Sequence, residues 1–145
     1  MSLFSSLDVS ASGMAAQRTR AELLVENLAN AETTRTPEGG PYRRKDVVFS
    51  ADSSVGAFSS EFSSAMGSGA SGVSVSETIV DNRDPDRRYM PGHPDADKDG
   101  YVAFPRINQA EDMVDLLGAS RSYEANVAAM SAVKDMIQKS LDLFR

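Results

Sequence analysis

The sequence predicts a mainly α protein with a small β-rich middle. Long N- and C-terminal helices are expected to pair as an antiparallel coiled coil, giving an elongated subunit. Three observations predict this. All six prolines and most glycines fall between Pro37 and Pro105, leaving both ends free of helix breakers. Both ends carry apolar residues at alternating steps of three and four, the spacing of a helix seam. The C-terminal pattern is also too long for a compact globule. An unbroken helix from residue 108 to 145 would measure about 55 Å, while a 145-residue globule is only about 40 Å across.

The elements follow in order. Residues 1–36 form the N-terminal helical segment, with the stripe Phe4, Leu7, Ala11, Met14, Ala21, Val25 and Leu28, interrupted where Arg18 takes the expected place. Asn30 is the expected stop, because Asn tolerates a left-handed backbone at a helix end. Residues 37–106 form the β-rich middle, with short runs at Tyr42–Phe49, Val73–Asp81 and Tyr101–Phe104. Between the first two lies a Ser/Gly/Ala tract, about 50–72, whose low apolar content predicts a mobile loop. Residues 107–145 form the C-terminal helix, opened by Asn108 and Glu111 in a capping-box arrangement. Its stripe runs through Met113, Leu116, Ser120, Tyr123, Val127, Met130, Lys134, Ile137, Leu141 and Phe144. Within one chain Leu7, Met14, Val25 and Leu28 are expected to pack against Val127, Met130, Ile137 and Leu141. A second row on the same helix includes Ala128, Ala132, Met136 and Leu143, and one partner helix covers only one stripe. That row is therefore expected to meet other subunits.

Composition weakens most enzyme readings. There is no Cys and one His, which excludes thiol catalysis, Cys-ligated zinc and the usual multi-His metal sites. No catalytic residue, metal ligand or cofactor is expected. The formal net charge of -6 argues against non-specific nucleic-acid binding. No apolar run approaches the roughly 20 residues that span a bilayer. The first basic residue is Arg18, so the N-terminus lacks the charged opening of a cleavable leader.

Two local patterns invite chemistry. Asp95-Ala-Asp97-Lys-Asp99-Gly100 matches the opening of a calcium loop. The closing glutamate should then fall at Arg106, a cation, so an Asp/Gly-rich turn is the stronger reading. The cluster Arg43-Arg44-Lys45 reads as the solvated edge of a strand, where positive charge blocks edge-to-edge pairing, or as a contact for an acidic partner. Arg83, Arg87 and Arg88 among Asp81, Asp84 and Asp86 suggest local ion pairs.

Several blocks carry a resemblance. Asn27-Leu28-Ala29-Asn30-Ala31, closing the N-terminal helix, resembles the signature of the bacterial flagellar rod and hook axial proteins. Gly39-Gly40-Pro41-Tyr42-Arg43-Arg44-Lys45 is similar to the proximal-rod branch of that family. So are Pro91–Asp97, Gly100–Ala103 and Ala119–Asn126, the last containing Tyr123 and Asn126. The resemblance implies a structural subunit of the flagellar basal-body rod, which spans the periplasm. It implies export by the flagellar type III apparatus without a cleaved leader, and helical assembly with copies of itself and other rod subunits to transmit torque. It also implies no small-molecule substrate and no membrane insertion. Two alternatives from the residues alone are a calcium-responsive helical module using Asp95, Asp97 and Asp99, and a soluble coiled-coil adaptor.

Overall fold

The computed structural model describes residues 3–51 and 72–143. The expected loop at 50–72 lies outside the described residues except at its two ends. Helix α1 spans Leu3–Ala29 and helix α2 spans Gln109–Asp142. Between them come strands β1 (Lys45–Ala51), β2 (Val73–Val80), β3 (Asp86–Tyr89) and β4 (Tyr101–Phe104). With 34 residues, α2 is about 51 Å long.

The helix ends have identifiable causes. At the start of α2, the Asn108 side-chain oxygen accepts from the backbone N–H groups of Ala110 (3.2 Å) and Glu111 (3.5 Å). These donors have no partner within the helix. At the end of α1, Asn30 acts differently from expectation. No non-glycine residue among those described has a positive φ, so Asn30 is not a left-handed cap. Its side-chain amide instead donates to the Glu26 carbonyl at 2.9 Å, and its oxygen accepts from the Thr33 hydroxyl at 3.2 Å. The chain then reverses through Gly39 and Gly40 at φ 91° and 79°, values that favour glycine.

The middle forms two antiparallel pairs. β1 pairs with β2 from Lys45↔Val80 to Ala51↔Val73, with an irregularity between Val48 and Phe49. β3 pairs with β4 from Asp86↔Phe104 to Tyr89↔Tyr101. The sequence gives no strand signal over Asp-Arg-Arg-Tyr, all four of which are exposed. This strand exists through its pairing with β4, whose Val102 is fully buried and whose Phe104 ring lies 4.8 Å from the Arg88 guanidinium. The expected local ion pairs are present at Arg83–Asp81 (2.6 Å) and Arg88–Asp86 (3.4 Å).

α1 packs against α2 on one side and against the β1–β2 pair on another. Its cover leaves one exposed stripe, at Phe4, Asp8, Ala11, Ala15, Arg18, Glu22, Val25 and Ala29. The expected contact stripe is therefore offset. Leu7, Met14 and Leu28 are half-buried, but Val25 is 52% exposed. The buried positions are Ser10, Ala16, Leu24 and Asn27. On α2 the expectation needs the same correction. The covered positions are Asp112, Asp115, Leu116, Ala119, Asn126, Met130, Val133 and Ile137. Leu116, Met130 and Ile137 belong to the expected seam, whereas Val127 is 42% and Leu141 66% exposed. The helix has turned so that Ala119 and Val133 replace Ser120 and Lys134, which removes both polar interruptions from the contact.

Small residues set how closely the helices meet. A Cβ added at Gly13 would lie 3.2 Å from the Asn126 side-chain nitrogen, so Gly13 marks a close approach. Farther along, Arg20 reaches Asp115 at 3.7 Å.

Candidate assembly surface

Two features distinguish this chain: a polar junction holding the β-rich middle to the helices, and a large uncovered helical face. The junction begins at Asn27, fully buried near the end of α1. Its side-chain oxygen accepts from the Tyr42 hydroxyl (3.1 Å) and the Lys45 N–H (3.0 Å). Its amide donates to the Lys45 carbonyl at 2.8 Å. One side chain thus satisfies both backbone groups of the first residue of β1, as an interior requires. Burial, with Glu26 nearby, pushes the Tyr42 hydroxyl up to about 12, which keeps it a donor. The Lys45 ammonium meets Glu26 at 2.6 Å and lies 5.7 Å from the centre of the Tyr42 ring.

The second half of the junction joins β1 to α2. The Arg44 guanidinium donates to Asp112 at 2.8 Å, and Asp112 is 1% exposed. They meet through one contact, which leaves Arg44 Nε and Asp112 Oδ2 buried without a hydrogen-bond partner among the described residues. Burial raises the Asp112 carboxyl above its ordinary value despite the attraction of Arg44, with Asp46, Asp115 and Glu111 adding to the rise. Arg43 donates to the Asn82 side chain at 2.7 Å. The cluster expected to be a solvated strand edge is therefore engaged within the chain: Arg43, Arg44 and Lys45 each hold a different partner.

The junction brings together Asn27, Tyr42 and Arg44, with Asn30 bracing the turn behind them. Leu28 is half-buried and Ala29 exposed at the end of α1. Tyr123 and Asn126 lie apart, on α2, where Asn126 faces Gly13 and donates to the Ser122 carbonyl at 2.9 Å. Sequence reading missed Glu26 and Asp112 as members, and named Lys45 only within the basic cluster. For Asp112 a signal existed: it stands four residues before Leu116 and seven before Ala119, on the covered face.

The structure gives the calcium reading no support. Asp97 accepts from the backbone N–H groups of Asp99 (3.0 Å) and Tyr101 (2.9 Å), closing a turn. Asp95 accepts from the Thr34 hydroxyl at 2.8 Å and faces Arg35 at 3.7 Å. Asp97 is thus spent on its own turn, and Asp95 on the segment after α1. Among the described residues, no cluster of three or more His, Asp or Glu side chains is arranged to hold a metal ion. His93 accepts from the Asp95 N–H at 3.2 Å and packs near Phe104.

The uncovered face is mainly that of α2. Met113, Val114, Leu117, Val127, Met136, Leu141 and Leu143 are all exposed, Leu143 at 86%. Ala128 and Ala132 lie exposed among them. An apolar surface of this extent on one helix marks an interaction site. Among the described residues, no helix is long and apolar enough to cross a membrane.

Known proteins resemble this chain in sequence along its length. The chain is 45% identical to the flagellar basal-body rod protein FlgC of Bacillus subtilis (strain 168), over 99% of each chain. It is 38% identical to FlgC of Borreliella burgdorferi over 100% of this chain and 99% of the relative. It is likewise 38% identical to FlgC of Salmonella typhimurium, over 99% and 98% of the two chains. The chain belongs to the FlgC family of flagellar basal-body rod proteins. A family model described as "Flagellar basal body rod FlgEFG protein C-terminal" also matches residues 98–143, which include β4 and α2. FlgC proteins are structural proteins of the rod.

Proposed function

We propose that this chain is a non-enzymatic subunit of the proximal rod that assembles helically and transmits torque. Residues 1–36 and 107–145 form its inner coiled-coil domain, and residues 37–106 its outer β-rich region. An antiparallel course for the helix pair is supported by Gly13 lying near Asn126 while Arg20, later in α1, reaches Asp115, earlier in α2. The observation that carries the reading is the exposed apolar face of α2 on a member of a rod family. Ala128, Ala132, Met136 and Leu143 meet neighbouring subunits, and the uncovered Val25, Val127 and Leu141 join them. Leu7, Met14 and Leu28 flank the contact within the chain, beside Met130 and Ile137. Partners are copies of this chain and other rod subunits, reached after export by the flagellar type III apparatus without a cleaved leader. The assembled site is the periplasmic span of the basal body.

The mechanism is mechanical. Helices packed side by side at interior density resist bending and twist, and the polar junction fixes the outer region to them. Deleting the chain from a flagellated host should abolish swimming and leave basal bodies without a complete rod by electron microscopy. Restoring it should return both. A deletion strain that swims with complete rods would end the proposal.

A further inference from the structure

The two strand pairs do not pack strand against strand. A small pocket of about 90 Å³ lies between their ends. One side comes from Arg43 and Arg44, just before β1, and from Arg83, after β2. The other comes from Pro85, just before β3, and from Pro105 and Arg106, just after β4. The space equals about three waters, which admits one compact group and excludes a peptide or a nucleotide.

Four guanidinium groups line this pocket against one carboxylate, Asp81. Arg83 and Asp81 pair at 2.6 Å. Arg44 is matched by the buried Asp112, with Asp46 at 3.6 Å. Arg43 meets the neutral Asn82 side chain. Arg106 is exposed, and its side chain makes no hydrogen bond or ion pair among the described residues. It lies close enough to help hold the Asp81 carboxyl down. The next carboxylates, Asp84, Asp86 and Glu111, line the neighbouring cleft, and Asp86 is taken by Arg88. Arg43 and Arg106 are thus two cations with no paired carboxylate among the described residues, in a chain of net charge -6.

We infer that this pocket binds one compact oxyanion, a carboxylate or phosphate group, between Arg43 and Arg106, and so ties the β1–β2 pair to the β3–β4 pair. The guanidinium fork matches both groups and gives them charge-assisted hydrogen bonds. Arg83 already grips the Asp81 carboxylate in this way, through Nε and Nη2. Like charges gathered around a small space repel one another, and a bound anion removes that repulsion. The inference concerns the middle of the chain and does not rest on the rod reading.

The test uses the purified full-length chain. Inorganic phosphate and glutarate, the latter standing for an acidic side chain, are titrated at constant ionic strength in chloride while backbone amides are followed by NMR. The expected result is saturable shifts at 39–44, 81–83 and 106, with amide exchange slowed in both strand pairs. Arg106→Gln should weaken binding about tenfold or more, the effect of losing one charge-assisted hydrogen bond. Arg121→Gln removes the same charge from α2 and should leave binding unchanged. Should Arg106→Gln not fold, Arg43→Gln gives the same reading, since its Asn82 partner is exposed and neutral. Binding of phosphate alone supports a free ion as the occupant. Binding of glutarate, with or without phosphate, supports the carboxylate of a partner protein. No saturable shift with either probe overturns the inference. So does equal weakening by Arg121→Gln, or exchange slowed in only one strand pair.

Discussion

Asn27 is the residue on which the β-rich middle depends. Truncation by Asn27→Ala would leave the N–H and carbonyl of Lys45 and the hydroxyl of Tyr42 buried without their partner. Each buried unsatisfied polar group costs about 1–3 kcal/mol. The variant should therefore lose about 3 kcal/mol or more by urea denaturation, and amide exchange should accelerate first in β1. Two carboxylates give opposite pH signatures. Asp81 is held down to about 2, chiefly by side-chain hydrogen bonds from Arg83. Its contribution is present above the unfolded value of 3.8 and is lost as pH falls towards 2. Asp112 is raised by burial above the same unfolded value, so the native state holds the proton more tightly than the unfolded chain. That contribution is full below 3.8 and declines as pH rises through the raised value. Asp112→Asn should remove this decline. Stability measured from pH 4 to pH 7 should then be flatter in the variant than in the parent, and an unchanged slope would remove Asp112 as its source.

At the scale of elements, the two helices and the strand Tyr101–Phe104 are legible from the sequence because period, proline placement and capping agree. Asn108 illustrates the agreement: Asn108→Ala should cost about 1 kcal/mol by loss of the cap. The facing of the helices was harder to read, for a physical reason. Both flanks of α2 keep a three-four period, one through Met113, Ser120, Val127 and Lys134, the other through Asp112, Ala119, Asn126 and Val133. Hydrophobicity favours Met113 and Val127, but close packing favours the small or buried set, and Gly13 supplies the matching space on α1. The junction was legible as a motif in Asn27, Tyr42 and Arg44, but not as a contact, because its members lie up to 85 positions apart along the chain. Gly13 offers a graded test. Gly13→Ala needs Asn126 to give only a few tenths of an ångström and gains helix propensity of about 1 kcal/mol, so it should be near neutral. Gly13→Leu should overpack the crossing and cost about 1–3 kcal/mol, read as a lowered midpoint in thermal unfolding.

For the whole molecule, stability and assembly separate at Leu141. The sequence places it on a seam within one chain, where a charge would unfold the helix pair. The structure leaves it 66% exposed, beyond the buried Val133 and half-buried Ile137, so the described residues of the single chain do not bury its side chain. Exposed substitutions away from caps and cores usually shift stability by no more than about 0.5 kcal/mol. In a packed rod the same position would be surrounded by other helices, and burying an unpaired carboxylate is far more costly than exposing it. Leu141→Asp should therefore leave the circular dichroism spectrum and unfolding midpoint of the purified chain unchanged while abolishing swimming and rod completion in cells. Loss of helix in the purified variant would return Leu141 to the intramolecular seam. Normal swimming would show that this face stays in water, and the apolar end of α2 would then need another explanation.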